Sequence, residues 1–399
     1  MNVLVVNAGS SSLKYKLINM NDESVLAKGI VERIGFDGTI LKHQKDADTK
    51  VEVKKEMKDH TEAFKLVVEA LTHKDHGVIS SMDEISAVGH RVLHGGEKYA
   101  GSFVIDEKVV EAIEEYAIFG PLHNPANLMG IRACQKIMPN VPMVAVFDTA
   151  FHQTMPKKAY IYGLPYEMYS EHKIRRYGFH GTSHAYVAKR AAQMVGKDAK
   201  DIKTVSCHLG NGASICAIDG GKSVDTSMGL TPLEGLIMGT RCGSIDPAIV
   251  EFLMDKTGMS IEETVKYMNK ESGVLGISGV SSDFRDLWIA WDGGKGEPRA
   301  KIALDAFCYS VKKYIGAYAA AMGGLDVIAI TAGIGENDPG VREMIVEGLE
   351  FLGAELDKVK NDFKGEERVI STDDSKVKIV CVATDEELKI AQETKELCL

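Results

Sequence analysis

NVLVVNAGSSSLKYKLI (residues 2–18) decides how the rest of the chain is read. An apolar run from Asn2 to Val6 meets a small polar stretch, Asn7-Ala8-Gly9-Ser10-Ser11-Ser12. A second run, Leu13 to Ile18, then alternates apolar residues with Lys14 and Lys16. This is the pattern of two strands joined by a Gly/Ser turn, with both lysines on one face. No helix follows the glycine and no G-K-[ST] is present, so the segment is not a P-loop. The design returns at KTVSCHLGNGASICAIDGG (203–221), where Gly210-Asn211-Gly212-Ala213-Ser214 separates two strand patterns and Asp219-Gly220-Gly221 makes a further hairpin turn. The copies lie about half the chain apart, too far for a solenoid repeat. They predict two related halves, each opening on a hairpin whose turn faces a shared cleft.

Outward from the hairpins, helical and strand patterns alternate. Asp106 caps a helical run through Phe119, and Ala126 to Met138 reads as a helix stopped before Pro139. Val141 to Phe147 is a short buried strand, and Asp148 follows it at once. Asp326 to Ile330 is another, running into Thr331-Ala332-Gly333-Ile334-Gly335-Glu336-Asn337 and then a helix with Asp338 as cap and Pro339 at its first position. Alternation of this kind predicts α/β layers, with ligands beyond the carboxyl ends of the strands. At 399 residues the chain exceeds what one core can hold, so two domains are expected.

The composition narrows the function. A net charge of −10 speaks against nucleic acid or an anionic membrane surface as a partner. An anionic ligand then needs local cations converging on Gly-rich loops. The seven cysteines are odd in number, scattered, and contain no C-x-x-C, so neither a disulfide framework nor a zinc site is expected. The first residues lack the basic start and long apolar core of a signal peptide, and no run of 18 apolar residues occurs. A cytoplasmic enzyme is the expectation.

Several segments carry candidate chemistry. Lys14, just past a Ser-rich turn, can reach an anion held by that turn's N–H groups, although a solvated strand face has the same pattern. In His208-Leu209-Gly210-Asn211-Gly212, two glycines around an asparagine predict positive φ and backbone open to a phosphate. An ordinary turn is spelled the same way. Thr331 to Asn337 leads from a buried strand to a helix N-terminus, an anion site by geometry or simply a capped connection. Arg91, His123, His180 and Arg241 each sit in Gly- or Pro-bounded segments, and Asp148 ends a strand, placed for a metal or a reacting group. Singly, each also reads as a structural ion pair or a satisfied histidine. His180 and His184 have i, i+4 spacing without the glutamate a zinc protease needs. Thr182 or Ser183 is the expected cap of a helix to Val195. Thr384 with Glu387 reads as a capping box, leaving Glu386 free to face a cleft.

Taken together, NAGSSSLK, GHRVLHGG, GPLHNP, FDTAFH, YGFHGTSH, HLGNGAS, GTRCGSIDP, SDFRD, TAGIGEN and TDEE, in this order and over essentially the whole chain, resemble the acetate kinase family. The resemblance implies an α/β fold of two duplicated ribonuclease H-like, actin-like ATPase domains. Each has a five-stranded mixed sheet flanked by helices, and the active site lies in the interdomain cleft. It sets the domains at 1–150 joined by the C-terminal helix 385–399, and at 151–384. It implies reversible transfer of a phosphoryl group between ATP and acetate, giving ADP and acetyl phosphate. Mg2+ is the implied cofactor, with Mn2+ able to replace it, in a cytoplasmic homodimer.

Residue by residue, the resemblance makes Asn7 and Glu386 the magnesium pair and Lys14 an ATP contact. It makes His208, Leu209, Gly210, Asn211 and Gly212, then Asp283, Phe284 and Arg285, then Thr331, Ala332, Gly333, Ile334 and Gly335 the nucleotide loops. Arg91 binds the carboxylate, Asp148 is the essential acid, and His180 and Arg241 stabilise the transition state. His123, with Asn211, contacts the transferred phosphoryl group. Leu93, Leu122, Phe179 and Pro232 surround the alkyl end of the acid. Leu93 stands where the family more often has Val, which predicts a tighter pocket. A propionate or butyrate kinase shares every one of these loops. A sugar kinase would use an Asp base on a neutral hydroxyl, whereas Arg91 and Arg241 suit a charged acceptor. A chaperone-like or filament-forming ATPase would need a peptide-binding domain or polymerisation surfaces.

Overall fold

The computed structural model describes residues 1–121 and 123–398. The chain divides into two compact units, Met1–Phe151 with Asp385–Leu399, and His152–Thr384. Among the described residues, no helix is long and apolar enough to cross a membrane.

The first unit is built on β1 (Asn2–Gly9), β2 (Ser12–Asn19), β3 (Ser24–Glu32), β4 (Ile40–Gln44), β5 (Lys50–Lys54), β6 (Ile85–Val92), β7 (Phe103–Val104) and β8 (Met143–Phe147). They form one sheet in the order β5-β4-β3-β2-β1-β6-β8-β7. The run at the start of β1 is continuously apolar because both faces are covered. Leu4 and Val6 join a core with Phe64 and Ala133, from helices His60–Leu71 and Asn124–Ile137. Val3 and Val5 pack with Ile390 and Ala391 of helix Glu386–Cys398 on the other side.

The second unit holds β9 (Lys203–Leu209), β10 (Ala213–Asp219), β11 (Lys222–Thr226), β12 (Val327–Thr331), β13 (Arg368–Val369) and β14 (Lys378–Cys381), in the order β11-β10-β9-β12-β14-β13. Helix Gly181–Met194 supplies Val187, Ala191 and Ala192 to a core with Val327, Ala329 and Val380.

Duplication is explicit in the topology. In β3-β2-β1-β6-β8 and in β11-β10-β9-β12-β14, three antiparallel strands precede two that run parallel to the third. The expectation of five strands per sheet therefore holds only for these inner sets. A β4–β5 hairpin and β7 extend the first sheet to eight strands, and β13 extends the second to six.

Local expectations shift for identifiable reasons. Asn7, Ala8 and Gly9 are not turn residues: they pair with Lys14, Leu13 and Ser12, leaving only Ser10 and Ser11 to turn. Helix Asn124–Ile137 starts two residues early, since Pro125 needs no N–H partner in the first turn. The cap of Gly181–Met194 is His180, at φ 57°, so Thr182 and Ser183 lie inside its first turn. The Thr384–Glu387 capping box does not form. Asp385 Oδ1 accepts from Leu388 N at 2.9 Å, and Glu387 instead pairs with Lys16 at 3.3 Å.

Candidate active site

In the first unit, parallel pairing of β6 with β8 brings Arg91 beside Asp148, whose N–H donates to Val92 O at 2.9 Å. Arg91 donates through Nε to Oδ1 at 3.0 Å and through Nη2 to Oδ2 at 2.8 Å. This is the planar two-point match that guanidinium makes with carboxylate. Glu386 Oε2 lies 3.7 Å from Arg91 Nη2. Asp148 is fully buried, while about a quarter of the Arg91 side chain reaches solvent. Burial works against the arginine's charge, but Asp148 and then Glu386 outweigh it and hold the guanidinium above its ordinary value. Asp148 thus occupies the Nε/Nη2 edge of the guanidinium.

Two asparagines that the motif reading passed over brace this segment. Asn127 Oδ1 accepts from Leu93 N at 3.1 Å while its Nδ2 donates to Ala8 O at 3.0 Å. Asn124 bonds both the N–H and the carbonyl of His94, each at 3.1 Å. Asn124 and Asn127 therefore clamp the chain just after Arg91, with His123 at the cap position of the helix that carries both. Leu93 is buried, its Cδ2 3.0 Å from where a Cβ on Gly120 would stand. Asn7 sits opposite the exposed Lys14 across the β1–β2 ladder. Leu122 lies outside the described residues.

The second unit assembles a histidine–serine network. His180 and His208 stack with ring centroids 4.1 Å apart. His180 Nδ1 lies 2.9 Å from Ser214 Oγ, and His208 Nδ1 lies 2.8 Å from Ser183 Oγ. Behind them, His184 spans Ser206 and Ser214 at 2.9 and 2.8 Å. Burial, with His152 and His208 adding to it, pushes His184 well below its ordinary value, so the network rests on a neutral imidazole. The carbonyl of buried Phe179 lies 2.9 Å from His152 Nε2.

Arg241 is half-buried and donates to Pro232 O at 2.9 Å. Among the described residues, no carboxylate lies within ion-pair distance of it. Burial alone pulls it below the usual arginine value. Gly212 lies against the guanidinium: a Cβ there would stand 3.4 Å from both terminal nitrogens, at van der Waals contact. Neither Gly210 nor Gly212 has positive φ, contrary to expectation. They do not supply a left-handed turn. Asn211 packs so tightly on Gly239 that a Cβ there would overlap its side-chain oxygen.

The remaining loops divide. Gly210 and Ala332 are near neighbours, which places the 208–212 and 331–335 segments side by side. Thr331 is buried at the end of β12. Residues Ala332–Asn337 form a short helix that Ala332 enters at φ 66°, with Gly333 open to solvent. Leu209 and Phe284 are core side chains, Phe284 edge-on to Phe307, so only their backbone can meet a ligand. Asp283 caps helix Phe284–Trp291 and pairs with the exposed Arg285 at 2.5 Å. Among the described residues, no group of three or more His, Cys, Asp or Glu could hold a metal.

Comparison with known proteins agrees with the motif reading. The family model described as acetokinase family matches residues 2–392. An acetate kinase of Alkaliphilus metalliredigens is 59% identical over 397 residues, covering 100% of each chain. The crystal structure of Porphyromonas gingivalis acetate kinase superposes with a TM-score of 0.96 at 47% identity, covering 100% of both chains. A propionate kinase from Francisella tularensis subsp. tularensis gives a TM-score of 0.92 at 41% identity, covering 99% of each.

Proposed function

We propose that this chain, which belongs to the acetokinase family, moves the terminal phosphoryl group of ATP to acetate, giving acetyl phosphate and ADP, and runs the reverse. The carrying observation is Arg241, a half-buried cation with no carboxylate partner among the described residues, beside Gly212. An arginine left in that state suits an anion supplied by the substrate.

A carboxylic acid titrates near the glutamate value, about 4.3, so the acceptor is already ionised at pH 7 and needs no base. The difficulty is bringing it to an anionic phosphate, which positioning and charge neutralisation overcome. Arg91 holds the acceptor carboxylate on the edge that Asp148 leaves. Asp148 acts by fixing the guanidinium plane, since both its oxygens accept from Arg91. Leu93, Phe179 and Pro232 are the apolar residues assigned to the methyl end. Arg241, His180 and His123 bind oxygens of the phosphoryl group in flight. His208 to Gly212, Asp283 to Arg285, Thr331 to Gly335 and Lys14 hold the nucleotide.

Asn7 and Glu386 offer an amide and a carboxylate oxygen, the hard donors magnesium takes in ones and twos, so they fit as its protein ligands. When bound, the ion neutralises phosphate charge. We place the enzyme in the cytoplasm as a homodimer. Exposed Phe252, Ile289, Ile302 and Phe351 in the second unit are available for such contact.

Trapping the acyl phosphate with hydroxylamine, alongside ADP release, tests the activity. Both signals should require acetate and exceed those with propionate and butyrate. ADP release indifferent to acetate would sink the reading.

A further inference from the structure

Glu336 is a heavily engaged side chain beside the 331–335 loop that the proposed chemistry leaves unused. Its Oε1 accepts from Ala332 N at 2.8 Å, from Thr384 N at 3.1 Å and from Thr331 Oγ1 at 3.3 Å. Its own backbone is held as firmly. The Glu336 carbonyl accepts from Arg342 Nη1 at 3.1 Å and from Gly365 N at 3.0 Å. Arg342 is fully buried, and its other donors end on Gly335 O, Asn361 and Phe363 O. Thr384 has a second tether, Oγ1 to Ser183 Oγ at 2.9 Å, and Ser183 Oγ lies 2.8 Å from His208 Nδ1. Thr384 is also the last residue of the second unit, where the chain crosses back to the first. A single carboxylate oxygen therefore ties Ala332, which must hold φ 66° to start its loop, to the residue at the crossover.

We propose that Glu336 is a positioning residue. It holds the Thr331–Gly335 loop in its ligand-ready shape and locks that loop to Thr384, so that nucleotide binding is felt at the crossover between the units. This rests on the reading that the loop binds nucleotide. A left-handed alanine is strained and persists only where its surroundings impose it. The Glu336–Ala332 bond is the direct constraint. The Glu336–Thr384 bond extends it to the crossover, a rigid linkage of the kind that carries coupling between sites.

The test uses the full-length enzyme. Glu336→Ala should raise KM for ATP at least tenfold and leave acetate KM within about twofold. Glu336→Gln, whose amide oxygen can still accept, should recover most of the ATP affinity. Equal rises in both KM values, or no recovery with Gln, would count against a positioning role. Should Glu336→Ala fail to fold, hydrogen exchange on the wild type decides. Saturating ADP should slow the Ala332 and Thr384 amides by similar factors. Slowing at Ala332 with no change at Thr384 overturns the coupling while leaving the nucleotide reading intact. No ADP binding by calorimetry overturns both.

Discussion

Arg91 and Arg241 are assigned to the same negatively charged reaction, yet the protein keeps them in opposite electrostatic states. Arg91 is matched at two points by Asp148 and approached by Glu386. Arg241 has a carbonyl partner and, among the described residues, no carboxylate. A paired guanidinium is a fixed scaffold, and its charge is mostly spent before substrate arrives. An unpaired, partly desolvated one is held ready to meet charge that develops later. The difference suits Arg91 to orienting a ground-state carboxylate and Arg241 to stabilising a transition state.

The largest expected effect breaks the pair apart by kinetics. Arg241→Ala should lower kcat by about 10²- to 10³-fold, the loss typical of removing a preorganised donor from developing charge. Acetate KM should move less than about threefold. A change confined to KM makes Arg241 a ground-state binder and erases the distinction.

Stability should sort the two arginines the other way. Arg91→Ala strands the fully buried Asp148, which should cost about 3 kcal/mol, the lower end for a broken buried pair because Arg91 is partly exposed. Arg241→Ala strands no charge and should stay within about 1 kcal/mol of the parent. Denaturant unfolding measures both, and equal losses contradict the contrast drawn from the ion pairs.

Much of this layout can be read from residues close in sequence. The two hairpins are legible because apolar runs flank each small polar stretch, and a strand covered on both faces needs such a run. Asn7 to Gly9 look like a turn only because the sequence does not show how far the ladder with β2 runs past Val6. The glycines around Asn211 look left-handed because the contact of Gly212 with Arg241, about 30 residues away, is a tertiary fact. The same holds for Lys16 with Asp385 and Glu387, partners from opposite ends of the chain. That missing information is why a plausible capping box was expected where none forms. Motif resemblance points to Leu209 and Phe284 as nucleotide residues, but burial limits what their side chains can do there.

Acid sharpens the comparison through two buried histidines. His90 precedes Arg91 and has no partner for Nε2 among the described residues, whereas both nitrogens of His184 meet serines. Burial pushes His90 down to about 3. Its folded value lies below the unfolded one, about 6.5, so its contribution is complete above that pH. It is lost as pH falls through the window from about 6.5 to about 3. By pH 5 the loss should reach about 2 kcal/mol, and His90→Leu should abolish it. A variant as acid-sensitive as the parent would place the titrating group elsewhere.

The smallest effect concerns chain length in the acceptor. Leu93 follows the strand that carries Arg91, its backbone is pinned by Asn127, and its side chain packs toward Gly120. A leucine held that way cannot swing aside for a longer acid. Leu93→Val removes one methylene, which should shift the ratio of kcat/KM for propionate over acetate upward by about 1 kcal/mol, roughly fivefold. Because Asp148 fixes Arg91 independently of residue 93, acetate kcat should hardly change. A fall in acetate kcat comparable to the gain for propionate would mean that Leu93 also sets the arginine's position, and that the scaffold around Arg91 is less rigid than its ion pair implies.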